Sequence, residues 1–198
     1  MKRAAFLVLA VLIAASTAGF GSSGIVYVPS APPAQTTRAV VLKVVDNRPP
    51  REGGREPRVV GLRRSMVGIK ANINESGPDV VPNLVRAATE DALGRAGIRA
   101  SDSAKVTLTA QILCFWMDWS GFAFAGAFSH LKYQGAIAVE YTLQDASGRV
   151  LWKGLAVTEQ HHSSDSKERI FNPALRRLAG RAANRFQATE FANAVPET

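Results

Sequence analysis

The chain is poor in the residues from which catalytic and metal centres are built: it holds one cysteine, Cys114, and three histidines in 198 residues. One cysteine excludes an internal disulfide, so apolar burial alone must hold the core. Cys114 falls within an alternating apolar pattern and is expected to be an inert thiol on the core face of a strand. No G-x-S-x-G elbow and no G-x-x-x-x-G-K phosphate loop occurs. His161 and His162 stand next to each other with Asp165 nearby. Adjacent strand residues point to opposite faces, and the further ligands a metal needs are missing. His130 lacks a carboxylate neighbour in sequence. No catalytic, cofactor-binding or metal-ligating residue is therefore assigned, and a non-enzyme is expected.

Long hydrophobic runs are also scarce. The one marked run, Ala4–Ala15, follows Lys2 and Arg3 and precedes the small residues Ser16, Ala18 and Gly19. This is the order of a secretory signal, and twelve residues are too few to span a bilayer. Cleavage after Ala18 is expected, with residues 1–20 as the signal region. "TAGF" has the shape of a lipid-attachment box in which Phe20 occupies the cysteine position. Phenylalanine has no thiol to acylate, and Cys114 is too far along the chain to substitute. Removing Lys2 and Arg3 leaves 22 basic against 16 acidic residues. An exported chain of that charge meets anionic headgroups and acidic polymers, and no nucleic-acid signature accompanies the charge.

Residues 21–37, rich in Gly, Ser, Pro and Thr, are expected to be a flexible linker in which "IVYV" makes at most a short strand contact. One α+β domain is expected over residues 38–192, with 193–198 as a tail. Its first strand is "RAVVLKVVD", ended by the loop "NRPPREGGREP", and a second covers "RVVGLRR" or "SMVGIKANI". Val81, Leu84, Val85, Ala88 and Ala92 repeat at helical spacing, and Gly97 suits a left-handed cap that folds Ile98 back on Leu93. In "AKVTLTAQILCFWMDW", Val106, Leu108, Ala110, Ile112, Cys114 and Trp116 share one face by strict alternation. "LKYQGAIAVEYTLQ" and "RVLWKGLAVTEQ" form a hairpin around "DASG", with Gly148 at positive φ. Asn172 and Pro173 read as the N-cap and first residue of a last helix bearing Leu175, Leu178, Ala179, Ala182 and Phe186. The pattern predicts a two-layer α+β domain, an antiparallel meander with two amphipathic helices on one face, in the order ββαβββα.

Two features point outward. "WMDWSGFAFAGAFSH", residues 116–130, places Trp119, Phe122, Phe124 and Phe128 between two strands where polar residues are usual. It either contacts a membrane interface or partner groove, or folds back and extends the strands. Arg177, Arg181 and Arg185 recur every four residues beside the last apolar stripe. They form either a solvated row or a site for lipid phosphates or an acidic partner.

The export signal, "VVDNRP", Val67–Gly68, "DALGRAGI", "LQDASGRVLWKG" and the terminal amphipathic helix together resemble the YajG-type family of small bacterial envelope lipoproteins. The resemblance spans about residues 38–190. It implies a lipid-anchored periplasmic domain auxiliary to envelope assemblies, and it carries no catalytic residues; the absent lipobox cysteine sets this chain apart. The expected function is a non-enzymatic exported envelope protein, an accessory module for a periplasmic or outer-membrane partner. The alternative is a lipid- or glycan-handling factor that touches the membrane through 116–130. A periplasmic location, peripheral to a membrane, is expected.

Overall fold

The structure, a computed structural model, describes residues 24–30, 36–50, 56–64, 70–120, 132–163 and 166–197. In chain order the elements are β1 (Ala39–Asp46), β2 (Val59–Arg64), β3 (Lys70–Asn74), α1 (Val80–Arg95), β4 (Arg99–Ala100), β5 (Thr107–Ser120), β6 (Lys132–Gln144), β7 (Val150–His162), α2 (Lys167–Gln187) and α3 (Thr189–Ala194). The three long strands β5, β6 and β7 form the expected antiparallel meander. The sheet as a whole is mixed, which corrects the all-antiparallel expectation. β1 runs parallel to β5 over Val41–Asp46, and β2 meets β5 in parallel at Gly61↔Met117. Parallel neighbours need a crossover, and here α1 supplies it between β1 and β5. The order is therefore βββαββββαα, with a short β4 and a terminal α3 that carry too few residues to show periodicity.

Both long helices pack on one face, as the two apolar stripes require. Val81, Leu84, Val85, Ala88 and Ala92 of α1 are buried, as are Leu175, Leu178, Ala179, Ala182 and Phe186 of α2. Gly97 takes φ 71° and the Ile98 amide donates to the Leu93 carbonyl at 2.9 Å, closing α1 as its sequence indicates. Gly148 likewise takes φ 84° in the β6–β7 turn. There Asp145 accepts from Ser147 and Arg149, which hold its carboxyl below the usual range.

α2 starts earlier than Asn172. Its N-cap is Ser166, whose hydroxyl accepts from the Arg169 amide, and Pro173 lies inside the helix. The extra turns bury Ile170 and Phe171, and Phe171 stacks on Phe115 with centroids 4.3 Å apart. Packing of that size outweighs the lost backbone bond at a proline. The Asn172 side chain is thereby released from capping.

The strict alternation expected for β5 breaks between Ile112 and Cys114, where one extra residue interrupts the pairing with β6. Val106, Leu108, Ala110 and Ile112 are buried under the helices, but beyond the bulge Phe115 and Met117 take their place. Cys114 and Trp116 are only partly buried and belong to the opposite face.

At the same level β5 changes its second neighbour from β1 to β2, and Arg48 fills the fork. Its guanidinium holds Asp46 at 2.8 and 2.7 Å. It also donates to the carbonyls of Val59 at 3.2 Å, Phe115 at 3.4 Å, and Pro57. Carbonyls that a continuous ladder would satisfy are met instead by one planar donor. We expect Arg48→Ala to lower unfolding free energy by about 2–4 kcal/mol, because it orphans Asp46 together with those carbonyls. Arg48→Lys should recover less than half of this, since an ammonium lacks the fork geometry. Equilibrium denaturation of the three proteins measures both effects.

Candidate functional site

The residues singled out from sequence do not converge on one place. Trp119 lies in β5 paired with Tyr133, near the end of the β5–β6 hairpin. Phe122, Phe124 and Phe128 lie outside the described residues, as does His130. Two members of the arginine row contact the backbone of β7. Arg177 donates to the Glu159 carbonyl at 3.1 Å and Arg181 to the Val157 carbonyl, both on β7. Among the described residues β7 pairs only with β6, so these carbonyls line its open edge. Gln160 Nε2 covers the next one, at His161, at 3.1 Å. Two of the three arginines thus cap an edge strand that would otherwise template pairing with another chain. Arg185 is exposed on the same side of α2.

His161 is exposed on the outer face of β7, and His162 follows it with the opposite orientation. Among the described residues no group of three His, Cys, Asp or Glu stands close enough to hold a metal. A cleft of about 450 Å³ opens where β1 and β2 part, lined by Asp46, Arg48, Pro57, Asp79, Phe115 and Trp116 among others. Its one cation is Arg48, whose donors are already engaged by Asp46 and three carbonyls. That leaves the cleft a structural seam.

The outer face of the sheet is more distinctive. Among the described residues no helix packs on it. Strand register sets Trp116 beside Ala136, and Cys114 beside Ala138 and then Val157, with Leu155 next along β7. Leu155 is 47 % exposed, and Val45 of β1, on the same face, is 45 % exposed. Toward the β6–β7 turn the stripe is bounded by Thr109, Gln111, Glu140, Thr142 and Lys153. Toward the hairpin end it is bounded by Asp118, Gln134, Glu159 and His161. Sequence alternation misses this stripe, because only the bulge turns Cys114 and Trp116 outward.

On the helical side, residues within the stretch expected to be a linker are held as a strap over the two helices. Ile25 and Tyr27 are buried while Val26 and Val28 are exposed. The Val26 amide donates to Asn172 Oδ1 at 3.2 Å, using the side chain that capping left free. The Tyr27 hydroxyl donates to Asp91, which also accepts from the Ser30 amide at 3.1 Å and pairs with Arg95 at 2.6 Å. Asp91 is buried, and these partners offset its desolvation. A buried acid on the apolar flank of α1 was the available signal for such a clamp.

No family model matches the chain, and no curated protein does. Solved structures do show likenesses. A DUF330 protein from Xanthomonas campestris is 18% identical with TM-score 0.49, over 82% of this chain and 95% of that one. A minor lipoprotein from Acinetobacter baumannii is 9% identical with TM-score 0.46, over 82% and 97%. PelC from Paraburkholderia phytofirmans, a dodecamer in its crystals, is 13% identical with TM-score 0.38, over 80% and 90%. With every score below 0.5, none of these likenesses bears on what this chain does.

Two outcomes are expected. Replacing Arg177 and Arg181 by alanine should change unfolding free energy by less than about 1 kcal/mol, since both are exposed. It should nevertheless produce concentration-dependent association in sedimentation velocity, as the β7 edge is uncapped. The strap has a pH signature. Burial, and then the neighbouring Asp91 carboxylate, raise the Tyr27 phenol above its usual 10.0. Burial likewise pushes Tyr141, beside Thr89, up to about 12. A raised folded-state value favours the protonated fold, so this stabilisation is whole below pH 10 and is lost as pH rises through the folded values. Tyr27→Phe should cost about 1–2 kcal/mol at neutral pH and flatten that alkaline decline, leaving the share due to Tyr141. Urea titrations from pH 8 to 11.5 give both quantities.

Proposed function

We propose that this chain is a non-enzymatic exported envelope protein of the YajG-type kind, an accessory module that binds a partner protein on the outer face of its sheet. The observation that carries this reading is the apolar stripe of Trp116, Cys114, Ala136, Ala138, Val157 and Leu155, rimmed by polar residues. A contiguous apolar patch with a polar rim is the usual form of a protein contact. The helices, the strap and the Arg177–Arg181 cap are committed to internal packing, which leaves this face for binding. The signal-like start of the chain favours an envelope location, and no described helix is long and apolar enough to cross a membrane. Trp119, Phe122, Phe124 and Phe128 belong to a second reading, membrane contact. It is favoured by hairpin pairing that continues to Ser120↔Lys132, the residues that flank the aromatic segment.

A photo-crosslinking residue at Leu155, tested in cells of the source organism, should yield a discrete adduct that the same residue at Arg176 on α2 does not. Trp116→Ser, which leaves the helical core untouched, should reduce the adduct at least fivefold. Equal labelling from both positions, or an adduct indifferent to Trp116, would overturn the sheet-face reading.

A further inference from the structure

The outer sheet face carries a charge pattern that is complementary to itself. Ile112 pairs with Val139 and Val139 with Ala156, and all three are buried toward the helices. Their row marks a level on the outer face that falls between Leu155 and Val157. Outward residues of β7 on either side of that level are Leu155 and Val157, then Lys153 and Glu159. A half-turn about a line crossing the strands there exchanges Leu155 with Val157 and Lys153 with Glu159. Lys153 and Glu159 are both exposed and stand six residues apart on one strand. That is about 20 Å, too far for them to pair within one chain.

The other charges of the face fit the same half-turn. Lys43, level with Thr109, comes to the level of Trp116, one row from Asp118. Glu140 comes opposite Ala138 and keeps Lys153 of its own chain at the next diagonal position. Asp118 comes opposite Thr107, and His161 comes to the level of Gln144. Among the described residues of these six rows, from Thr107 to Asp118 along β5, no two like charges meet. Arg99 and Lys105 lie one row farther out, beyond Val41 and Thr107. Rows of alternate residues are about 6.7 Å apart and strands about 4.8 Å apart, so six rows over four strands cover roughly 700 Å². A standard interface takes about 800 Å² from each partner.

We propose, resting on the reading that this face binds a protein, that its partner is a second copy of the chain. The two sheets pack face to face about a two-fold axis level with Ile112, Val139 and Ala156. Such an interface is self-complementary and makes each contact twice. Leu155 of one copy packs on Val157 of the other, and Val45 lies toward Cys114 of the other, which covers the apolar stripe of both. Lys153 of each copy meets Glu159 of the other at the rim, where opposite charges fix the register. The Arg177–Arg181 cap of each β7 edge stays in place, so uncapping that edge adds association beyond the dimer.

The test follows the full chain, as recovered from expressing cells, by sedimentation equilibrium. Wild type should dimerise with a dissociation constant on the order of 10 μM or tighter. Lys153→Glu and Glu159→Lys should each weaken the dimer about tenfold or more, because each sets like charges against one another at both symmetric contacts. Mixed in equal amounts, the two variants should associate within about threefold of wild type, since one of each restores opposite charges at both contacts. That recovery also shows both variants to be folded. Pairing along the β7 edges would bring the same two side chains together, and Trp116→Ser, two strands in from that edge, tells the two apart. It should weaken the face-to-face dimer about tenfold or more. A wild-type chain that stays monomeric at about 100 μM defeats the proposal. So does a mixture no tighter than its components, or association indifferent to Trp116. If the chain is monomeric while Leu155 still gives its Trp116-dependent adduct, the sheet face binds a different protein and only the second copy is ruled out. An adduct of twice the chain mass identifies the second copy, and loss of both association and adduct removes both readings.

Discussion

The fold turns on how β5 changes neighbours halfway along its length. A strand that pairs first with β1 and then with β2 leaves a gap in the ladder at the change, and backbone carbonyls in that gap need donors. Arg48 meets the need from a loop, bound to Asp46 two residues upstream and to three carbonyls of two separate segments. The bulge after Ile112 lies at the same level. Fork and bulge together allow the first half of β5 to belong to a β1–α1–β5 crossover and the second half to a hairpin with a side pair, β2–β3.

That arrangement decides which surfaces are available. Before the bulge, apolar residues of β5 point to the helices; after it, Phe115 and Met117 do so and Trp116 turns outward. One inserted residue thus supplies both the Phe115–Phe171 stack under α2 and the apolar stripe on the uncovered face. The arginines of α2 seal the β7 edge, and the strap fills the outside of the helical layer. Among the described residues, the outer face of the sheet is the one that no helix covers.

The two helices, the β6–β7 hairpin and the left-handed glycines at 97 and 148 were legible in the sequence because local periodicity and turn chemistry dictate them. The candidate site was legible only in fragments. The row Arg177–Arg181–Arg185 was visible as charge, but its acceptors are main-chain carbonyls of β7, which no side-chain pattern advertises. Asn172–Pro173 reads as a helix start by every local rule, and the burial of Ile170 and Phe171 overrides it. Trp116 reads as core by alternation, and alternation cannot register a bulge.

By itself the sequence determined a cysteine-independent core, two amphipathic helices and a three-stranded meander. Each of these follows from interactions between residues near in the chain. Tertiary structure alone decided that the first strands run parallel to β5, that "DNRP" closes a fork, and that "IVYVPS" is a strap. Those outcomes join residues tens to more than a hundred positions apart, and only a folded backbone makes them neighbours.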